Sequence, residues 1–353
     1  MDTPINAPLR KLPIGIQSFE KLRSENFLYV DKTALIYRLA QAGNPCFLSR
    51  PRRFGKSLLL SSFEAYFQGK KELFRGLAIE KLEKAWLQYP VLHLSLNAEK
   101  YDSREGLIDI LERQLRQWEE LYRTGGEGIT HSGRFMTVIR RACEQTGRRV
   151  VVLIDEYDKP LLRSFDSQEL QHDFRETLTA FYTVLKDADP WLQFVFITGV
   201  TKFAQMGIFS NLNQLNDIRF DLAYNTLCGM TRAEIEATFS PELEALAVKS
   251  NATCRQVMDR LTRQYDGYRF TKDEEFTSMY NPFSVLSALQ KRSYGNYWFA
   301  SGTPTFLVEM LQKTDFDLRE MEGIEVNEAS LSDDRADINN PIPMTYQSGY
   351  LTI

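Results

Sequence analysis

The 353-residue chain has few cysteines, few histidines and no large excess of either charge. Its four cysteines, Cys46, Cys143, Cys228 and Cys254, stand far apart with no C-x-x-C pair, and only three histidines are present to join them. That spacing excludes a zinc-finger signature and a dense disulfide framework, so buried free thiols in a reducing compartment are expected. No stretch approaches the ~18 apolar residues of a membrane span, and the opening MDTPINAPLRKLPIG has no apolar signal core. A cytoplasmic protein without a membrane partner is the expectation. A net charge of -4 argues against a surface built throughout to hold nucleic acid, although it leaves room for local patches.

What is present is a rhythm of short apolar runs separated by helical patterns. NPCFLS, VLHLSL (Val91 to Leu96), VVVLID (Val150 to Asp155) and FVFITG (Phe194 to Gly199) each end in polar or turn residues, as buried strands of a parallel sheet do. Between them, helical spacing runs over Ser57 to Phe67, along REGLIDILERQLRQWEELYR, and over about Gln171 to Asp187, while TGGEGITHSG reads as a loop. The alternation predicts an α/β fold with a parallel sheet. After about residue 225 the texture becomes helical, in MTRAEIEATF, CRQVMDRLTRQY, YNPFSVLSALQKR and TPTFLVEMLQK. Residues 1–225 are therefore read as a core and 226–313 as a mainly helical lid, with an acidic connection leading into the tail over 314–353. The tail MTYQSGYLTI alternates like the start of a strand at Leu351 and Ile353, which suggests a sequence cut from something longer.

One glycine is conspicuously missing. RPRRFGKSLLL, from Arg50 to Leu60, ends as a phosphate-binding loop ends, with Gly55, Lys56 and Ser57, but Arg50 stands where the first glycine of G-x-x-x-x-G-K-[ST] belongs. The strand before it and the helix after it supply the context the motif needs. In that setting Arg52, Arg53, Phe54, Gly55 and Leu58 can offer backbone amides to phosphate, Lys56 can meet the β/γ-phosphates, and Ser57 can give its hydroxyl to Mg²⁺. A basic surface turn is the plain alternative for the arginines. About a hundred residues on, VVVLIDEYD ends an apolar strand in two acids: Asp155 suits the metal and Glu156 suits a base for the attacking water. In FVFITGVTK, Thr198 is either a γ-phosphate sensor or a strand-end hydroxyl, and Lys202 either a second phosphate cation or an exposed lysine.

Taken together, LPIGIQSFEKLRSENFLYVDKTALI, SRPRRFGKSLLL, LIDEYDKPLL, ITGVTKF, FSNLNQLNDI, YNPFSVL and YWFASGTPTFL resemble, in order and over nearly the whole chain, the bacterial AAA-ATPase-like proteins. Those proteins are often fused to a C-terminal PD-(D/E)XK nuclease-like domain, and they look related to the signal-transduction ATPases with numerous domains, the STAND class. The resemblance implies a P-loop NTPase core whose loop begins Arg-Pro in place of glycine. It gives Asp155 and Glu156 the Walker B roles, Thr198 or Lys202 the sensor position, Tyr29 of YVDKT a place near adenine, and Pro282 of YNPF a lid contact to the base, against the plain alternative of a helix-opening proline. It also implies a partial winged-helix-like segment at the C-terminal end. No E-x-K strand follows Asp333, Asp334 or Asp337, so no nuclease activity is expected of this chain.

The function these readings predict is a Mg-ATP-binding switch with slow hydrolysis and a fused or associated effector domain as partner. The alternatives are a nucleotide-holding module that never turns over, and a nucleic-acid-associated regulator of a fused nuclease.

Overall fold

A computed structural model of the chain describes residues 10–97, 100–125, 130–201, 214–271, 278–300 and 340–351, with isolated positions between 308 and 324. Five strands form one sheet: β1 (Cys46–Ser49), β2 (Val91–Ser95), β3 (Val150–Asp155), β4 (Leu192–Gly199) and β5 (Asn216–Asp217). Their order is β2-β3-β4-β1-β5 and every pairing is parallel. Four of these are the predicted apolar runs, with β4 opening two residues earlier. The fifth, only two polar residues long, carries no apolar signal.

The sheet is covered on both faces, and the alternation of side chains along each strand decides which face each residue serves. Val150, Val152 and Ile154 of β3 join Leu92, Leu94, Phe47 and Ile197 in one core. Val151 and Leu153 join Leu48, Phe194 and Phe196 in the other. Helices α1 (Phe19–Ser24), α2 (Thr33–Ala42), α3 (Lys56–Phe67) and α4 (Ala78–Leu82) feed the second core. The first is built by α5 (Arg104–Tyr122), α6 (His131–Thr146), α7 (Lys159–Arg163) and α8 (Gln168–Asp187). Helix α6 starts inside the glycine-rich stretch expected to be a loop, because the Thr130 side chain accepts from Gly133 N–H at 3.1 Å and caps it.

A third, separate core lies among α9 (Arg232–Thr238), α10 (Ser240–Lys249), α11 (Cys254–Tyr265) and α12 (Pro282–Lys291). Leu12, Ile14, Leu28 and Val30 from the start of the chain pack against it. The helical texture after residue 225 is thus present in the first three expected stretches and is tied back to residues 10–30, while TPTFLVEMLQK lies mostly outside the described residues. Helix α13 (Tyr297–Ala300) follows. Most of the acidic stretch, including Asp333, Asp334 and Asp337, lies outside the described residues, and so does Ile353. Within the tail, Ile342–Gln347 is helical and ends in a turn through Gly349, so Leu351 continues no strand among the described residues.

Candidate functional site

At the C-terminal ends of the strands, β1 runs into the loop and α3 begins directly behind it. Gly55 is the N-cap of α3 with φ 92° and ψ 19°, a left-handed conformation that glycine adopts without strain. The amides of Lys56, Ser57 and Leu58, in the first turn of α3, have no preceding carbonyl of the helix to bind. They form a ready anion site at the positive end of the helix.

Three strand tips meet behind this turn. Ser57 Oγ donates to Asp155 Oδ2 at 2.6 Å, and Thr198 Oγ1 donates to Asp155 Oδ1 at 2.8 Å. A carboxylate and a hydroxyl side by side are hard oxygen donors of the kind Mg²⁺ takes, with phosphate and water completing its shell. The residues present therefore fit that ion. Lys56 is buried, and its ammonium donates to the carbonyls of Arg50 at 2.8 Å and Pro51 at 3.1 Å. Burial lowers the pKa of Lys56, while the carboxylates of Glu156, Asp155 and Asp158 oppose that shift.

Glu156 follows Asp155 in a left-handed conformation, φ 52°, which turns the chain sharply off β3. Its carboxylate stands 3.4 Å from Lys159 Nζ, and that ammonium also reaches the Asn97 carbonyl at 2.6 Å beyond the tip of β2. The turn is bolted to β4 by a residue outside the motif. Asp158, fully buried, accepts on Oδ2 from Val200 N–H (2.8 Å), Thr201 N–H (2.7 Å) and Thr201 Oγ1 (3.0 Å). Burial raises its pKa to about 6. Gly199 makes this approach possible, since a Cβ there would lie 2.6 Å from the Tyr157 ring and 2.7 Å from Asp158 Oδ1.

The missing glycine is explained by packing. Arg50 is 2% exposed and its side chain is spent inside the fold. It donates to the carbonyls of Ser49 and Arg219, each at 2.9 Å, and lies 4.0 Å from the Phe270 ring centroid. Its Nε and Nη2 have no hydrogen-bond partner among the described residues, and burial lowers its pKa to about 10. Phe54 is likewise buried, edge-on to Tyr268 at 4.8 Å and Phe270 at 5.5 Å. Pro51 is covered by Gly349, where a Cβ would come within 2.6 Å of it.

A cavity of about 410 Å³ opens over the loop, within the range of small-molecule sites. Arg52, Arg53, Phe54, Gly55, Lys56, Ser57, Leu58, Glu156, Tyr29 and Pro282 all line it. Asp155 and Thr198 sit beneath, joined to it through Ser57. Pro282 opens α12 and also faces the cavity, so its two readings are compatible. Lys202 lies outside the described residues. Among the described residues, the cations Lys32, Arg52, Arg53, Lys56, Lys159 and Arg163 line the cavity against a single acid, Glu156, so the space suits an anion. Lys32, Lys159 and Arg163 were not singled out by the sequence reading, although the quoted YVDKT and LIDEYDKPLL contain the two lysines and Arg163 follows directly after the second.

A family model described as Predicted AAA-ATPase, AAA-ATPase_like, matches residues 13–209. The chain is also 37% identical over 345 residues to "Uncharacterized protein in vnfD 5'region" of Azotobacter chroococcum mcd 1, covering 98% of this chain and 64% of that relative. No helix among the described residues is long and apolar enough to cross a membrane. With the loop, the acidic strand tip and the parallel sheet between them, the chain belongs to the AAA-ATPase-like family of P-loop proteins.

Proposed function

We propose that the chain binds Mg-ATP at this cavity and works as a nucleotide-dependent switch that hydrolyses ATP slowly. The observation that carries the reading is the meeting of Ser57 and Thr198 hydroxyls on the two oxygens of Asp155, at 2.6 and 2.8 Å, behind a helix N-terminus. The α3 amides and Lys56 would hold the phosphates, and Ser57 with Asp155 would hold the metal. Magnesium, when bound, supplies neutralisation of the phosphate charge. Glu156 would orient and deprotonate water, and Thr198 would register the γ-phosphate through its bond to Asp155. Tyr29 and Pro282 line the same cavity and would contact the base. The division into a core (1–225), a helical lid (226–313) and a C-terminal segment (314–353) belongs to the same proposal, as do a cytoplasmic setting, the STAND-like character and an effector domain as partner.

Calorimetry with Mg-ATP tests the site. Wild type is expected to bind in the micromolar range and Lys56→Ala to lose binding; heat of binding unchanged in that variant removes the loop from the reading. A second reading, a nucleotide holder without turnover, is favoured by one observation, the Lys159 ammonium 3.4 Å from Glu156. Phosphate release separates the two readings. Release by wild type that falls at least about tenfold in Glu156→Gln, with binding kept, supports the switch, and no release above background supports the holder.

A further inference from the structure

The YVDKT stretch divides its work between two sides. Asp31 and Thr33 are spent on the fold: Asp31 accepts from Thr33 N–H at 2.8 Å and Ala78 N–H at 2.7 Å, and Thr33 Oγ1 accepts from Ile79 N–H at 3.1 Å. These bonds pin the starts of α2 and α4 together. Lys32, between them, turns the other way into the cavity and pairs with Glu234 of α9 at 2.5 Å. It is the second buried ammonium of the cavity wall, after Lys56. Lys32, Lys56 and the buried Cys228 all line this one cavity.

The two partners of this ion pair are not equally committed. The Lys32 side chain is 10% exposed, so its ammonium requires a counter-charge wherever it stands. The Glu234 side chain is 28% exposed and already accepts from Thr231 N–H at 2.8 Å, so water and its helix cap can hold it without Lys32. A polyphosphate in the cavity is a stronger counter-charge than one carboxylate oxygen.

From this asymmetry, and resting on the nucleotide reading of the cavity, we propose that Lys32 is a phosphate-binding cation supplied from outside the loop, and that Glu234 competes with the nucleotide for it. Exchange of partners removes the Lys32–Glu234 tie between α9 and the chain segment before α2, while the apolar packing of Leu28 and Val30 on the same core stays. Nucleotide occupancy is thereby transmitted to the helices that pack around Ile235. A second ion pair between these regions, Arg10 with Glu242, has its Nε 2.9 Å from Oε1, and neither residue lines the cavity.

Calorimetric affinity for Mg-ATP tests the exchange on the full chain, in wild type, Lys32→Met, Glu234→Gln, the double variant and Arg10→Met. Glutamine at position 234 keeps the helix cap, because Gln256 already serves that role in the Thr253 capping box of α11. Lys32→Met is expected to bind about tenfold more weakly and Glu234→Gln about threefold more tightly, with the double variant matching Lys32→Met. Arg10→Met is expected to bind as wild type does. Should Lys32→Met fold poorly, Lys32→Arg keeps the charge and is expected to stay within about threefold of wild type. Binding that weakens in Glu234→Gln, or wild-type affinity in that variant while wild type binds normally, overturns the exchange alone. No binding by wild type overturns the nucleotide reading with it.

Discussion

The two ends of the phosphate loop are held by different physics. At the rear, from Gly55 to Ser57, the structure depends on a left-handed glycine, open helix amides and an exchange of hydrogen bonds among the tips of β3, β4 and α3. At the front, from Arg50 to Phe54, it depends on burial: a guanidinium over Phe270, an aromatic wedge against Tyr268, and a proline under Gly349. Arg50 is absent from the residues with positive φ, whereas Arg53 has φ 69° and Gly55 φ 92°. The loop therefore requires left-handed backbone at 53 and 55, and position 50 is free to carry a side chain that supports the loop from below. The departure from the usual motif is a trade of backbone freedom for packing at the Arg50 end of the loop.

Three substitutions probe that contrast. Gly199→Ala attacks the rear through the strand tip, where a Cβ would lie 2.6 Å from the Tyr157 ring. It is expected to cost about 3 kcal/mol in denaturant unfolding and to weaken Mg-ATP binding as well, since Tyr157 and Asp158 fix the turn that carries Glu156. Arg50→Gly writes the customary glycine into the front. It removes two bonds to carbonyls and the stacking on Phe270, and relieves an incompletely paired buried charge, so a loss of about 2 kcal/mol of stability is expected. Its affinity for Mg-ATP should stay within about threefold of wild type. An equal loss of affinity in both variants would erase the distinction between the two ends. Arg53→Gly relaxes the left-handed backbone but gives up the contact of its guanidinium, 5.1 Å from the Phe283 ring. These effects oppose, and unfolding should shift by less than about 1 kcal/mol in either direction.

The same contrast marks what the sequence could reveal. Strands β1, β3 and β4 were legible because burial on both faces makes continuous apolar runs, edge strand β2 because its buried Leu92 and Leu94 alternate with half-exposed neighbours, and Asp155 because it ends one of the buried runs. Strand β5 was not, because its two polar residues are placed by pairing with β1. The start of α6 was hidden in a glycine-rich stretch whose threonine cap is a matter of a single bond. Arg50 read only as an exception, since the groups that receive it, the Arg219 carbonyl and the Phe270 ring, lie far along the chain. Asp158 gave no signal at all: its partners are amides of Val200 and Thr201, which no local pattern associates with it. Local chemistry was readable where motif and strand coincide, and unreadable where a side chain answers to backbone brought close by the sheet.

Strand β4 runs between β1, which carries the loop, and β3, which carries the acids. Its tip is fastened to Asp155 by the Thr198 hydroxyl and to Asp158 by Val200 and Thr201. A shift of this one strand tip therefore acts on both neighbours at once, on Asp155 through the Thr198 hydroxyl and on the turn bearing Glu156 through Asp158.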